Sequence, residues 1–278
     1  MFTPRHRTLS LAGAVALALC ACSTAPKPPT AAAEVGEFRA GSGYLNGYLD
    51  RKTLPNSLAL LPPPPAEGSA RAASDLDAHR STRHLRDTPR WALAARDANL
   101  KFPAAADAFA CALDVPISAE STPHLNMLLR RTLLDAGLST YAAKDHYKRP
   151  RPFVALNETM CSPGEDATLR KDGSYPSGHA ALGWAWALVL AEIAPERTDA
   201  LIARGLSFAQ SRVVCGVHWQ SDVDAGRTMG AAAVARLHAN EMFRAQVAAA
   251  KEEVQSARAA GKKPALDCKA EAAALGVK

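Results

Sequence analysis

Apolar residues recur at intervals of three and four positions along much of the chain, the spacing that places them on one face of a helix. One such stretch runs from Ser69 to Leu100, with Pro89 as an internal break. A second runs from Thr122 to Tyr147. Here Thr122 is the expected N-cap, because Pro123 follows it and proline is favoured at the first helical position.

The run from His179 to Pro195 is apolar nearly all round, which predicts a central core helix. It is too short to span a bilayer, and Glu192 interrupts it. Two more helical segments follow, and the second is a long Ala-rich helix from His218 to Ala260. No stretch alternates apolar and polar residues as a strand would. The pattern therefore predicts an all-α helical bundle with one long irregular loop, from Phe153 to Tyr175.

The N-terminus has a different composition. Arg5 and Arg7 precede a short apolar run that ends in small residues, which is typical of an export signal. The segment "LCACS", which ends at Ser23, resembles the lipobox of bacterial lipoproteins, with Cys22 as the acylated residue. We therefore expect a periplasmic protein, either soluble after cleavage or attached to the membrane by a lipid.

Composition divides the chain into four parts: a signal peptide at 1–22, a linker at 23–42, the main domain at 43–260 and a tail at 261–278. The linker is rich in Pro, Ala, Thr and Gly.

The formal net charge is +6, and it falls to +4 without residues 1–21, which contain two arginines and no acidic residue. This mildly basic balance favours small anionic substrates. The chain lacks the dense Lys/Arg stripes with interleaved aromatics that nucleic-acid binding requires, so a nucleic-acid polymer is excluded as a partner.

Beyond the leader, four cysteines remain: Cys111, Cys161, Cys215 and Cys268. An even number in an exported protein predicts two disulfides, and three pairings are open. No two of these cysteines form a C-x-x-C pair, which argues against a thiolate zinc site.

Residues suited to phosphate chemistry fall in three clusters along the chain. They are Lys144 and Arg151 in "KDHYKRPRP", Ser177, Gly178 and His179 in "PSGH", and Arg212, His218 and Asp222 in "SRVVCGVHWQSD". Arginine side chains can bind phosphate oxygens in pairs, and the start of a helix offers free N–H groups to an anion. Pro152 favours an extended backbone at Arg151, which directs its side chain away from a helix face.

His218 and Asp222 are four residues apart, so on a helix they would lie on one face and touch. A carboxylate that accepts from the imidazole Nδ1–H leaves a lone pair on Nε2, and His218 is then a positioned nucleophile. Taken alone, such a pair is more often an ordinary surface contact. His179 at a helix start can supply a proton to a leaving alcohol.

The order Lys-x6-Arg-Pro, Pro-Ser-Gly-His and Ser-Arg-x5-His-x3-Asp resembles the signature of the type 2 phosphatidic acid phosphatase and vanadium haloperoxidase superfamily. The longer strings "GSYPSGHA" and "SRVVCGVHWQSDVDAGR" are similar to those of the bacterial class A non-specific acid phosphatases. The resemblance extends from about Gly43 to Glu253.

The resemblance implies an all-helical periplasmic acid phosphatase that requires no metal or other cofactor. It would hydrolyse many phosphate monoesters through a phosphohistidine, and it could also transfer phosphate to alcohols and self-associate. In this interpretation His218 is the nucleophile, Asp222 orients it and His179 donates the proton. The phosphoryl oxygens would be held by Lys144, Arg151, Ser177, Gly178 and Arg212.

Two alternatives remain open at this point. A vanadium-dependent haloperoxidase would hold vanadate in the same pocket, and a phosphate-binding lipoprotein would keep the cations without turnover. Asp224 and Arg227 lie inside the family-like string, and we expect them to support the site from behind.

Overall fold

The computed structural model describes residues 26–276, and within this range it contains helices, turns and loops but no sheet beyond one isolated bridge between Glu37 and Leu45. The predicted all-α fold is confirmed. In chain order the α-helices are α1 (Ala32–Val35), α2 (Ser57–Leu60), α3 (Ala70–Ser81), α4 (Pro89–Ala98), α5 (Asp107–Leu113), α6 (Pro123–Leu138), α7 (Tyr141–Tyr147), α8 (Pro152–Ala155), α9 (Asp166–Leu169), α10 (Gly178–Ile193), α11 (Thr198–Val214), α12 (Gln220–Leu237), α13 (Glu241–Ala259) and α14 (Cys268–Leu275).

Helix α10 lies at the centre of the bundle, where it packs against α6, α11, α12 and α13. Its apolar side chains are buried on almost every side, as the sequence pattern predicts. Trp186 is fully buried, and its indole Nε1 donates to the carbonyl oxygen of Leu129 at 3.0 Å. The largest side chain of the core therefore also has its one polar atom satisfied.

Two glycines let α12 approach α10 closely. A Cβ atom on Gly226 would overlap the carbonyl oxygen of Ser177, and one on Gly230 would overlap that of Ala181. Because neither glycine has a side chain, the first turns of α10 and α12 lie side by side. These two helix starts carry five of the eight residues that the sequence singles out for phosphate chemistry.

The single long helix predicted from His218 to Ala260 is wrong, since the chain breaks between α12 and α13. Asn240 is the N-cap of α13, and its side chain accepts from the backbone N–H of Phe243 at 2.9 Å. This local bond gives the backbone an alternative to a continuous helix.

The segment from Phe153 to Tyr175 is irregular apart from short helical turns, as predicted. It is attached to the turn after α11 by a disulfide between Cys161 and Cys215. Backbone bonds add to this connection: the Phe153 N–H donates to Gly216 O, and the Cys161 N–H donates to Cys215 O, each at 3.1 Å. The loop and the turn are thereby held as one unit.

A second disulfide joins Cys111 to Cys268 and attaches α14 to the bundle, where it packs on α4. Of the three pairings that the sequence left open, the structure has Cys111–Cys268 and Cys161–Cys215. Glu271 of α14 is buried and lies 3.2 Å from the guanidinium of Arg204. The C-terminal helix therefore contributes a charge to the interior of the bundle.

The expected signal peptide and the lipidation candidate Cys22 lie outside the described residues. Among residues 26–276, no helix combines the length and the apolar composition needed to cross a bilayer.

Candidate active site

The structure brings the three sequence clusters together where several helices begin or end. Lys144 lies on α7 and Arg151 directly precedes α8. Ser177, Gly178 and His179 form the start of α10, Arg212 lies in the last turn of α11, and His218 and Asp222 lie at the start of α12. Residues of different clusters are in direct contact. Arg151 touches His218, and the backbone N–H of Ser177 donates to the backbone carbonyl oxygen of Asp222 at 2.9 Å.

His218 and Asp222 are in contact, although not as two positions on one helix. Helix α12 begins at Gln220 after its N-cap Trp219, so His218 precedes the helix while Asp222 lies in its first turn. The Oδ2 atom of Asp222 lies 3.3 Å from His218 Nδ1 and accepts from the Trp219 N–H at 2.9 Å. The helical i, i+4 geometry expected for the pair is wrong, and the contact arises from the helix cap.

Two neighbours determine which nitrogen of His218 carries the proton. A carboxylate only accepts, so Nδ1 donates to Asp222. Arg151 lies on the other side of the ring, where its Nη1 is 2.9 Å from Nε2. A guanidinium only donates, so Nε2 presents a lone pair. Burial, with Arg151 and Lys144 nearby, holds the pKa of His218 well below its usual range, and the imidazole is neutral.

Arg151 and Lys144 share one acidic neighbour. The backbone of Arg151 is extended, as Pro152 predicts, and its Nη2 donates to Asp172 Oδ2 at 2.9 Å. Lys144 Nζ donates to Gly173 O at 2.6 Å and lies 3.5 Å from the same carboxylate. Burial first, and then Arg151, lower the pKa of Lys144 to about 8.

Arg212 is fully buried, yet within residues 26–276 none of its three guanidinium nitrogens has a hydrogen-bond partner. The closest acidic group is the Glu165 carboxylate, at 3.9 Å. Burial lowers the pKa of Arg212 to about 10, so it stays charged at neutral pH. A buried guanidinium without hydrogen bonds is costly in free energy, and it can bind two oxygens of an anion at once.

His179 has one nitrogen occupied and one free. Its Nε2 lies 3.0 Å from Ala98 O, and because a carbonyl only accepts, Nε2 donates and Nδ1 is left for a second proton. The ring stacks on Phe208 with the two planes 22° apart. Burial, with Arg212 as the next cause, holds the pKa of His179 well below its usual range.

Ser177 and Gly178 form the entrance to α10. The Ser177 hydroxyl oxygen accepts from the Ala180 N–H at 3.2 Å and so caps the helix. Its O–H proton can still be donated to a ligand. Gly178 is the first helical residue, so its N–H has no partner within the helix and no side chain shields it.

Sequence reasoning missed Arg149 and Asp75. Arg149 Nη1 donates to Asp222 Oδ1 at 2.6 Å, and its Nη2 donates to Asp75 Oδ2 at 2.7 Å. Arg149 stands in the segment already singled out, two residues before Arg151, whereas nothing in the local pattern marks Asp75. We expected Asp224 and Arg227 to support the site, and this expectation is wrong. The two side chains pair with each other at 2.8 Å on an outward face of α12.

The arrangement combines a neutral imidazole that has a lone pair with three cations and the first turn of a helix. Such a set is complementary to a tetrahedral anion, because the positive groups balance its charge while the imidazole faces the central atom. A second imidazole, His179, lies next to Arg212, and burial together with this cation lowers its pKa.

Comparisons with known proteins point to one family. Residues 125–244 match the model of the PAP2 superfamily. A non-specific acid phosphatase from Providencia stuartii is 46% identical over 207 residues, which is 74% of this chain and 84% of that protein. One from Salmonella typhimurium is 43% identical over 72% of this chain and 80% of its own length. An acid phosphatase from Zymomonas mobilis is 39% identical over 78% of this chain and 83% of its own length.

Proposed function

Because the chain belongs to the class A non-specific acid phosphatases of the PAP2 superfamily, we propose that it hydrolyses phosphate monoesters through a phosphohistidine on His218. The observation that carries the proposal is the His218 Nε2 lone pair together with the buried guanidinium of Arg212, which has no hydrogen-bond partner among the described residues. One supplies a nucleophile, and the other supplies three nitrogens whose hydrogen bonds a bound anion can complete.

In the first step His218 Nε2 attacks phosphorus, a P–N bond forms, and the bond from phosphorus to the alcohol oxygen breaks. The leaving oxygen takes a proton from His179. In the second step water attacks phosphorus and gives a proton to His179, and the P–N bond breaks to release inorganic phosphate. Asp222 accepts from His218 Nδ1 throughout and stabilises the positive charge of the phosphorylated ring.

His179 has to be protonated for the first step, yet burial and Arg212 lower its pKa. A monoester dianion bound between the cations adds negative charge next to the ring, and this raises the pKa of His179. Substrate binding thus protonates the acid. The need for a proton on His179 also favours activity at acid pH.

The trigonal PO₃ group of the transition state has three equatorial oxygens, and the cations surround it. Arg212 fits two of these oxygens through its planar fork, while Lys144 acts as a point charge. We assign Arg151, Ser177 and Gly178 to the same oxygens. Arg151 has to exchange its contact with Nε2 for one with the phosphoryl group as the nucleophile engages.

The test is a single-turnover experiment on the mature chain with ³²P-labelled monoester, quenched in alkali, which preserves phosphohistidine. We expect an acid-labile label on the peptide that contains His218, together with hydrolysis of p-nitrophenyl phosphate that is insensitive to EDTA. Label on the His179 peptide, or no label during rapid turnover, contradicts the assignment. Bromide oxidation by the vanadate-loaded protein would instead support the haloperoxidase alternative.

The segments outside the site fit the same proposal. We propose that residues 1–22 direct export to the periplasm, where the protein is soluble or attached through a lipid on Cys22. An alcohol that replaces water in the second step would accept the phosphoryl group, so phosphotransferase activity belongs to the same intermediate. Self-association of the domain is part of the proposal as well.

Phosphate affinity is expected to fall above about pH 8, because Lys144 has a pKa of about 8 and its loss of a proton removes one cation. Inorganic phosphate is already a dianion in this range, so its own charge does not change. The dissociation constant, measured by inhibition, should rise by up to about tenfold per pH unit. Lys144→Arg keeps its charge and should flatten the rise. A pH-independent constant for the unmodified protein between about pH 7.5 and pH 9.5 would contradict this expectation.

A further inference from the structure

A line of charged side chains continues behind Asp222, on the side away from His218. Arg149 Nη1 donates to Asp222 Oδ1 at 2.6 Å, and Arg149 Nη2 donates to Asp75 Oδ2 at 2.7 Å. Asp75 lies on α3 and is 3% exposed, and Asp222 is fully buried. The order from α3 to the site is therefore Asp75, Arg149, Asp222 and His218.

Ser221 connects the first two members of this line. Its hydroxyl oxygen accepts from Arg149 Nη1 at 2.8 Å and donates its proton to Asp75 Oδ2 at 2.6 Å. The backbone N–H of Ser221 donates to Asp75 Oδ1 at 2.8 Å. Asp75 therefore uses both oxygens, and Arg149 is held from two sides.

From these contacts we propose that Arg149 and Asp75 are positioning residues, which hold the Asp222 carboxylate ionised and turned so that its Oδ2 accepts from His218 Nδ1. The proposal rests on the proposed role of His218. A carboxylate bonded at both oxygens cannot rotate without breaking a bond, because Oδ1 is taken by Arg149 and Oδ2 by Trp219 and His218.

Arg149 is unavailable as a phosphate ligand. Its Nη1 and Nη2 atoms donate to Asp222, Ser221 and Asp75, and its guanidinium lies 5.4 Å from the ring centre of Trp219. By contrast, the guanidinium of Arg212 has no such partner among the described residues. Loss of Arg149 should therefore lower kcat and leave KM nearly unchanged.

The charges around Asp222 determine how the pH dependence of kcat should change when Arg149 is replaced. The titratable or charged side chains that face it are Arg149, Lys144, Arg151, His218 and Tyr175. Burial raises the pKa of Asp222, and Arg149 is the largest influence that lowers it. Without Arg149 the carboxyl would be protonated at a higher pH, and in that form it no longer accepts reliably from Nδ1.

The test compares Arg149→Gln and Asp75→Asn with the unmodified protein. For Arg149→Gln we expect kcat to fall by about 10- to 100-fold, KM to stay within about threefold, and the acid limb of the kcat profile to move up by about one pH unit. Asp75→Asn touches neither Asp222 nor His218, and a smaller shift in the same direction is expected. Arg86→Gln is the matched control, since Arg86 pairs with Glu158 and contacts none of the residues assigned to phosphate within the described part of the chain.

Three results would overturn the proposal: a rise in KM with kcat unchanged, an unmoved acid limb, or equal effects of Arg149→Gln and Arg86→Gln. If Arg149→Gln does not fold, as judged by circular dichroism, Asp75→Asn decides by the same criteria. The phosphohistidine trap in the unmodified protein separates the two hypotheses. A trapped label together with an unaffected Arg149→Gln disproves only this inference, whereas no label disproves the proposed function.

Discussion

Replacing Arg212 with methionine is expected to make the protein more stable and almost inactive. The guanidinium is buried without a hydrogen-bond partner among the described residues, and the Glu165 side chain, whose carboxylate lies 3.9 Å away, is 37% exposed. An apolar side chain of similar length should therefore raise the free energy of unfolding by about 2 kcal/mol. For a domain of this size that is about 4 to 8 °C in Tm. The variant also loses a guanidinium that would donate to two phosphoryl oxygens at once, which should lower kcat/KM by about 1000-fold. Calorimetry and a p-nitrophenyl phosphate assay measure both effects.

Arg90→Met is the matched control. Arg90 donates to the hydroxyl oxygen of Ser211 at 3.0 Å and to the carbonyl oxygen of Ser207 at 3.1 Å, so its charge already has protein partners. Its replacement should lower Tm or leave it unchanged, with kcat/KM retained. An Arg212→Met protein that melts earlier than the unmodified protein, or that keeps its kcat/KM, would contradict the assignment of Arg212 to the substrate.

Asp222→Asn is expected to lower kcat by about 1000- to 10,000-fold with a small change in KM. An asparagine can turn its NH₂ group towards His218 Nδ1, and the ring then carries its proton on Nε2, where the lone pair is needed. The substitution should also lower Tm, because one amide oxygen cannot replace both oxygens that accept from Arg149 and Trp219. Steady-state kinetics and a thermal melt test both expectations.

Asp224→Asn provides the comparison for Asp222, since it lies two residues further along the same helix. Asp224 accepts from Gln220 and Arg227 and touches none of the residues assigned to phosphate. Its variant should keep normal kcat and Tm. If both variants lose activity to the same extent, the effect is a general disturbance of α12 and not a change in the His218 tautomer.

Much of the fold could be predicted because its signals are local. Helix α6 begins where Thr122 and Pro123 indicate, and α10 follows an apolar run that ends before Pro195. The candidate residues for phosphate chemistry could be grouped from the sequence because each cluster spans no more than 11 positions near a helix end. Residues that are close in sequence stay close in space even when the predicted helix boundaries are wrong.

The features that could not be predicted depend on partners that are distant in sequence, or on capping bonds that compete with a continuous helix. Asp75 is separated by 74 residues from Arg149, and an aspartate on a polar helix cannot be recognised as buried without that partner. The break before α13 was missed because most of the flanking residues favour helix, and a single capping side chain decides the outcome. The geometry of His218 and Asp222 was wrong for a similar reason, since the helix begins two residues after the histidine.

The two disulfides are nested, and this has a consequence for digestion by peptidases. The Cys111–Cys268 bond spans 157 positions and encloses the Cys161–Cys215 bond, which spans 54. Every residue from Lys144 to Asp222 therefore lies inside a covalent ring. A single cut anywhere in that ring leaves the two pieces linked by a disulfide. Release of His179 from the ring requires two cuts. Both cuts must lie between Cys161 and Cys215, on either side of His179, or one must lie between Cys111 and Cys161 and the other between Cys215 and Cys268.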